Sequence, residues 1–221
     1  MRSRKPSVET EAEVRRFQEI LNESFPDLTA SAAESKIYVR GSFPVMHEGR
    51  VLDRYQIQII WTASDIEVPT LLETGGRIPW IADRHMSQGG NACVLVPEEW
   101  LIKPRDQRTL VGYLEGPVRN YFLWQSLFES GLEAPWGERK HGVPGLLQAY
   151  SDLVGFSEES AIRECLDYLS KDRLKGHWRC PCGSNRRLRD CHLSYLRHLR
   201  TKVPQYIAKL ALNRLRNPVV R

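Results

Sequence analysis

Between Ser7 and Asn22 the apolar residues Val14, Phe17, Ile20 and Leu21 recur at helical spacing on one face. Ser7 stands where a cap belongs, and Glu9, Glu11 and Glu13 lie near the positive end of the helix dipole. The period then changes. Ile37-Tyr38-Val39-Arg40 and Tyr55 to Trp61 are rich in β-branched and aromatic residues, His47 to Arg50 reads as a turn between them, and Ile66 to Glu73 reads as a third strand. Tyr55, Ile57 and Ile59 alternate with Gln56 and Gln58, which predicts an antiparallel meander with one buried and one wet face.

Residues 74–92 break the periodicity with Gly75-Gly76, Pro79 and Ser87-Gln88-Gly89-Gly90-Asn91, before Ala92-Cys93-Val94-Leu95-Val96 runs apolar into Pro97. Long irregular stretches inside a domain are usually functional, which singles out His85 and Cys93. Helical spacing resumes after Trp100 through Leu110, Leu114, Val118, Tyr121 and Leu127 or Phe128, and Gly116-Pro117 is expected to kink or divide that helix. Pro135 to Gly142 reads as a second polar loop. Pro144 then starts a helix that Gly155 ends, and Ser157 opens another whose Ile162, Cys165, Leu166 and Leu169 form an apolar stripe, with Cys165 as core.

The chain has 221 residues, 41% hydrophobic and 27% charged, a balance that excludes a wholly disordered or collagen-like chain. No apolar run approaches the ~18 residues of a membrane span, and Met1-Arg2-Ser3-Arg4-Lys5-Pro6 leads into charged residues, so no membrane association and a cytoplasmic location are expected. The net charge of +5 is unevenly spread. Residues 171–221 hold 14 Lys and Arg against only Asp172 and Asp190, whereas residues 1–170 hold 18 basic and 25 acidic side chains. This asymmetry predicts two modules, the basic one either a solvated helix pair or a surface for a polyanion or acidic protein.

Three of the five cysteines crowd into that basic region. Cys180-Pro181-Cys182-Gly183, followed after seven residues by Cys191-His192, offers three thiolates and an imidazole, the donors that tetrahedral zinc prefers in closed structural sites. One structural Zn2+ is expected, supplying much of the folding free energy of so small a segment. The run Cys180-Pro-Cys-Gly-Ser-Asn-Arg-Arg-Leu-Arg-Asp-Cys191-His192 resembles the SEC-C motif, the zinc-binding tail of the SecA translocase and of many bacterial proteins. The resemblance covers about residues 176–194 and implies that Cys180, Cys182, Cys191 and His192 are the metal ligands of a docking or stabilising module, with protein or ribosomal partners. Arg186, Arg187, Arg189, Arg197, Arg200, Lys202, Lys209, Arg214 and Arg216 could also neutralise nucleic acid phosphates. Trp178, Tyr195 and Tyr206 either stack on bases or pack the knuckle.

Helix, meander, long loop, cysteine and helices is also the order of the ubiquitin-conjugating (UBC) fold. Gly49 to Trp61 resembles its second strand, Pro69-Thr-Leu-Leu-Glu73 with Arg77-Ile78-Pro79 its third strand and following turn, and His85 through Gly90 to Cys93-Val-Leu-Val its active-site loop. The resemblance spans roughly residues 8–155 and is closest to the UBC-like proteins of bacterial antiphage (CBASS-type) systems. It implies an α+β fold, a UBC-like meander sheet packed on helices over residues 1–155, followed by a helical basic tail with the zinc motif over 156–221. It further implies a transferase in which Cys93 carries a protein C-terminal acyl group as a thioester and passes it to an amine, with His85 bracing the loop. The donor implied is a ubiquitin-like protein or the C-terminus of a cGAS/DncV-like nucleotidyltransferase.

The family's Pro-Asn after the histidine is Met86-Ser87 here, and the loop to Cys93 is two residues shorter. Asn91 or Ser87 is the candidate oxyanion donor in place of the missing asparagine. His85 is a candidate base toward the incoming amine, Asp83 a candidate to orient a lysine, and His141 in the second polar loop a candidate to gate or assist transfer. Three alternatives stand beside this reading. Cys93 is a buried cysteine leading Val94 to Val96; or the domain is a non-catalytic adaptor whose zinc tail docks on a protein, ribosome or nucleic acid; or Cys93 and Cys165 form a redox pair.

Overall fold

Helix α1 (Val8–Ser24) begins at Ser7, whose hydroxyl accepts the Thr10 amide, and it buries Phe17 and Leu21. The computed structural model describes residues 7–62, 67–132 and 142–217. It divides into unit 1, Met1–Pro97 with Lys103–Glu138, and unit 2, Glu98–Ile102 with Arg139–Arg221.

Unit 1 is built on an antiparallel sheet of five strands in sequential order: β1 (Leu28–Ala33), β2 (Lys36–His47), β3 (Arg50–Thr62), β4 (Thr70–Glu73) and β5 (Asn91–Ala92). The β2–β3 hairpin closes through Glu48-Gly49 and runs in register from His47↔Arg50 to Lys36↔Thr62, with a bulge between Val45 and Met46. Two strands exceed the expected three. Strand β1 is an edge of small residues, Leu28-Thr-Ala-Ser-Ala-Ala, in which Leu28 alone is fully buried, so backbone pairing with β2 rather than an apolar pattern defines it. Strand β5 has two residues, and the run Val94 to Val96 lies outside it. The strand expected from Ile66 begins at Thr70, and Ile66 lies outside the described residues.

Alternation in β3 places Tyr55, Ile57 and Ile59 in the core beside Ile37, Val39 and Phe43 of β2, while Gln56 stays exposed. On the wet face Arg40 Nε donates to Gln58 Oε1 at 2.6 Å. Helix α2 (Pro97–Leu101) follows Cys93 in the chain, and from Glu98 onward its residues belong to unit 2. Helix α3 (Leu110–Tyr113) runs through a π-helical turn at Leu114–Val118 into α4 (Arg119–Glu129). The turn contains Pro117, which has no N–H to give an α-helical ladder, so the expected break is absorbed as a widened turn. Phe122 of α4 stacks on Tyr55 at 4.4 Å, and Trp61 meets Phe17 at 5.4 Å and Tyr113 at 6.1 Å. Rings from α1, α3 and α4 thus cover one face of the sheet, and the fold of this unit is α+β.

Unit 2 is helical: α5 (Gly142–Val154), α6 (Glu159–Ser170), α7 (Leu193–Lys202) and α8 (Gln205–Arg216). Tyr150, Val154, Ile162, Cys165, Leu166, Leu169, Leu196, Ile207, Ala208 and Ala211 form its core. The boundary expected at residue 155 assigned α5 to the first domain, but its buried Ala149, Tyr150 and Val154 pack with α6 and α8. Glu158, not Ser157, is the cap residue of α6. Among the described residues no helix is long and apolar enough to cross a membrane.

Candidate thiol and metal sites

The long loop before Cys93 is more ordered than its composition suggests. A short 3-10 turn over Ala82–Arg84 ends at His85, which adopts the left-handed conformation with φ 50° and ψ 37°. The chain then folds back on itself. Met86 bridges Ala92, Ser87 N–H donates to Asn91 O at 2.9 Å, and Cys93 N–H donates to His85 O at 2.8 Å. Residues 85–93 are therefore a miniature antiparallel hairpin with Gln88-Gly89-Gly90 at its tip, and Cys93 sits at its base opposite His85. Gly90 has φ 75°, and a Cβ there would stand 3.0 Å from the Trp80 ring, so a side chain at this position would strain the turn and push the indole aside.

Cys93 is exposed, which overturns the reading of it as a buried packing residue. The His85 ring stands edge-on to Trp124 with centroids 5.3 Å apart, which fixes its plane. Asn91 is held through its backbone, its N–H donating to Ser87 Oγ at 3.2 Å, and its side-chain amide lies over Gly89, where a Cβ would meet Nδ2 at 3.4 Å. Asp83 is exposed on the turn before His85. His141, the last candidate, lies outside the described residues.

Arg84, which the sequence reading passed over, ties this segment to α4. Its guanidinium donates to Gln125 Oε1 at 2.6 Å and Glu129 Oε1 at 2.9 Å, and its carbonyl accepts from the Tyr121 hydroxyl and the Gln125 amide. Arg77 extends the network to Glu129 and Asp53, 2.6 and 2.7 Å away. Burial works to raise the Asp53 pKa, but Arg77, the Arg54 amide and Ser126 outweigh it and hold the carboxyl below its ordinary value.

In unit 2, Arg179 and Arg187 form an antiparallel bridge, with Cys180 N–H donating to Arg186 O at 2.9 Å and Leu188 N–H to Trp178 O at 2.7 Å. The tip of this second hairpin turns through Gly183 and Asn185, both with positive φ. A 3-10 turn, Leu188–Asp190, then delivers Cys191, and His192 caps α7. The donor atoms of Cys180, Cys182, Cys191 and His192 all lie within 4.8 Å of one another. Cys180 Sγ and Cys191 Sγ are 3.1 and 3.2 Å from His192 Nδ1, and Cys182 Sγ is 3.6 Å from Cys191 Sγ. Tetrahedral bonds of ordinary length to sulfur and nitrogen set donors about 3.5–3.8 Å apart, a spacing close to that of these four residues, which could hold a metal ion.

Ser184 was not anticipated. Its hydroxyl lies 3.2 Å from Cys182 Sγ and 3.4 Å from Cys191 Sγ. Hydrogen bonds from the Ser184 side chain and backbone bring the Cys182 thiol down to about 6, whereas burial pushes Cys180 up to about 12. His192 is flanked by Phe156 at 5.7 Å and Tyr195 at 6.1 Å, and Trp178 packs on Tyr168 at 4.7 Å. Trp178 thus packs the knuckle, while Tyr195 and Tyr206 are both exposed, Tyr195 with its hydroxyl donating to Val154 O. Of the candidate phosphate contacts, Arg214 is turned inward toward Glu98, Arg200 donates to the Lys171 carbonyl, and Arg186 to the Asp190 carbonyl. Arg187, Arg189, Arg197, Lys202, Lys209 and Arg216 are exposed.

No protein-family model, no curated protein and no solved structure matches the chain.

Proposed function

We propose that the protein is a UBC-like transferase that carries an acyl group as a thioester on Cys93. The observation that carries this reading is an exposed cysteine at the base of a fixed hairpin that directly follows an antiparallel meander. A thiolate attacks carbonyl carbon well and leaves readily, so one sulfur serves for both loading and discharge. In loading, the Cys93 thiolate attacks the C-terminal carbonyl of a donor protein already activated by another enzyme, and the activating group departs with the bonding electron pair. In discharge, an amine attacks the thioester carbon, the Cys93 thiolate leaves, and the amine proton passes to a base, for which His85, across the hairpin from Cys93, is the candidate. The donor is a ubiquitin-like protein or a nucleotidyltransferase C-terminus, and the setting is antiphage defence, both carried by the family resemblance.

The second element of the proposal is that Zn2+ occupies the Cys180, Cys182, Cys191 and His192 set. Three thiolates and one imidazole match zinc in softness and number, and the ion would supply folding free energy rather than a catalytic position. With that ion the basic module is a recruitment element of the SEC-C kind.

Intact mass under denaturing, non-reducing conditions, after co-expression with the genomic neighbours, tests the first element. Wild type is expected to carry a thiol-labile protein adduct that Cys93→Ala lacks. Equal adduct-free spectra with the neighbours present and intact would overturn the thioester reading.

A further inference from the structure

One stripe of α4 mixes rings with polar groups that cores rarely keep. Tyr121, Trp124, Gln125, Phe128 and Glu129 fall at intervals of three and four, and each of them meets the segment ending at His85. The Tyr121 hydroxyl and the Gln125 amide donate to the Arg84 carbonyl at 3.0 and 2.8 Å. Gln125 Oε1 accepts from Arg84 Nε in return, Glu129 Oε1 takes Arg84 Nη2, and the guanidinium lies 4.7 Å over the Phe128 ring. Trp124 meets the His85 ring. Gln125 is fully buried and Arg84 is 8% exposed. Burying an amide and a guanidinium costs free energy unless every group is paired, and a leucine at 125 would fill the same space without that cost. Packing alone does not call for a glutamine.

The bonds converge on one peptide. The carbonyl that receives both donors belongs to the Arg84–His85 link, and the next carbonyl, that of His85, accepts the Cys93 amide. His85 is also the residue held at positive φ, where a non-glycine side chain persists only if its surroundings enforce it. We infer that Gln125 and Tyr121 are positioning residues for Cys93: through the Arg84 carbonyl, the α4 stripe fixes the His85 turn and so the place of the thiol at the hairpin base. Its consequence for transfer rests on the thioester reading of Cys93, whereas the fixing of the hairpin stands without it.

The test uses the full-length, zinc-loaded chain with Gln125→Leu and Tyr121→Phe, each removing one donor to the Arg84 carbonyl. Amide hydrogen exchange reads the hairpin directly. In Gln125→Leu the amides of Ser87 and Cys93 are expected to exchange about tenfold faster or more, the scale of losing one buried donor to the Arg84 carbonyl and the partner of Arg84 Nε, while β2 and β3 keep their protection. Iodoacetamide alkylation of Cys93 should shift in rate over the same pH range, and discharge of a preformed thioester should slow about tenfold with the KM for the donor unchanged. Tyr121→Phe should change each in the same direction by less, and it decides the matter if Gln125→Leu also loses protection in β2 and β3. Wild-type exchange at Ser87 and Cys93, with wild-type alkylation, in a variant whose sheet stays protected would overturn the inference. If wild type forms no thioester, the function proposed above fails, and the exchange measurement still decides the positioning role.

Discussion

Arg214→Met in the helical unit exposes the energetics of its one fully buried carboxylate among the described residues. Glu98 has no solvent exposure, and Arg214 Nε stands 2.8 Å from its Oε1 without pointing its N–H well at either oxygen. The buried Tyr150 hydroxyl faces the same carboxylate. Removing one member of a buried ion pair typically costs about 3–5 kcal/mol because the other charge is stranded. Arg214 keeps 27% side-chain exposure, so water screens the pair and the expected cost at pH 8 is the low end, about 3 kcal/mol. Burial raises the Glu98 pKa above its ordinary value, and Arg214 is the largest influence opposing that rise. A raised carboxyl means that the folded state holds its proton more tightly than the unfolded one. Stability therefore falls as pH rises from the unfolded value, about 4.3, through the folded one, by up to about 1.4 kcal/mol per pH unit. Without Arg214 the window widens upward, so the penalty should shrink as pH falls from 8 to 5. Glu98→Gln/Arg214→Met should recover most of it, because a neutral amide replaces the stranded charge. Urea unfolding followed by hydrogen exchange in α6 and α8, with zinc saturating, measures each difference. A penalty that is independent of pH, or a double variant no more stable than Arg214→Met, would refute the reasoning.

Metal analysis is expected to find about one zinc per chain, lost together with α7 protection in Cys180→Ser/Cys182→Ser, and a stoichiometry near zero in a folded protein would remove the assignment. Asp53, held low by Arg77, contributes stability above the unfolded aspartate value that is lost as pH falls through its folded value, and Asp53→Asn should flatten acid unfolding of the sheet unit below about pH 4. Gly155→Ala should cost more than about 1 kcal/mol by thermal unfolding, because φ is 69° there and a Cβ would fall 2.3 Å from the Tyr195 hydroxyl that donates to Val154 O. Neutral iodoacetamide on the zinc-loaded chain should label exposed Cys93 fast and leave Cys165 untouched, since burial removes Cys165 from solvent and pushes its thiol up to about 12.

The parts of the fold legible in the sequence are those where burial follows a period. Alternation around Tyr55 gives the wet and dry faces of β3, the spacing of Phe17 and Leu21 gives α1, and Cys165 on its stripe is core. What escapes lacks a side-chain signal. Strand β1 is made of alanine, serine and threonine and is defined by hydrogen bonds to β2, and the hairpin of residues 85–93 is written in main-chain bonds between residues whose side chains name no strand. The membership of α5 is not local either, since only three-dimensional packing tells which neighbour its apolar face takes. In the sites, spacing anticipated that Cys180, Cys182, Cys191 and His192 lie together, because a knuckle and a helix start are short-range structures. Arg84 and Gln125 are 41 positions apart, and a glutamine inside an aromatic helical stripe was the only trace of their pairing.

The five cysteines separate by environment, and that separation narrows where thiol chemistry can occur. Cys165 is sealed in the core of the helical unit, where desolvation disfavours its thiolate. Cys180, Cys182 and Cys191 share one imidazole within a few ångströms, and a metal ion there would bind all three thiolates and leave none as a nucleophile. Any disulfide chemistry at Cys165 requires the helical core to open first, because its sulfur is fully buried. Cys93 alone is both exposed and anchored, with its amide tied to His85 and the preceding peptide tied to α4. An unanchored surface cysteine would react with any electrophile that reached it. One whose backbone is fixed on both sides of a nine-residue hairpin offers its sulfur from a set direction, the condition under which orientation rather than intrinsic nucleophilicity chooses the substrate.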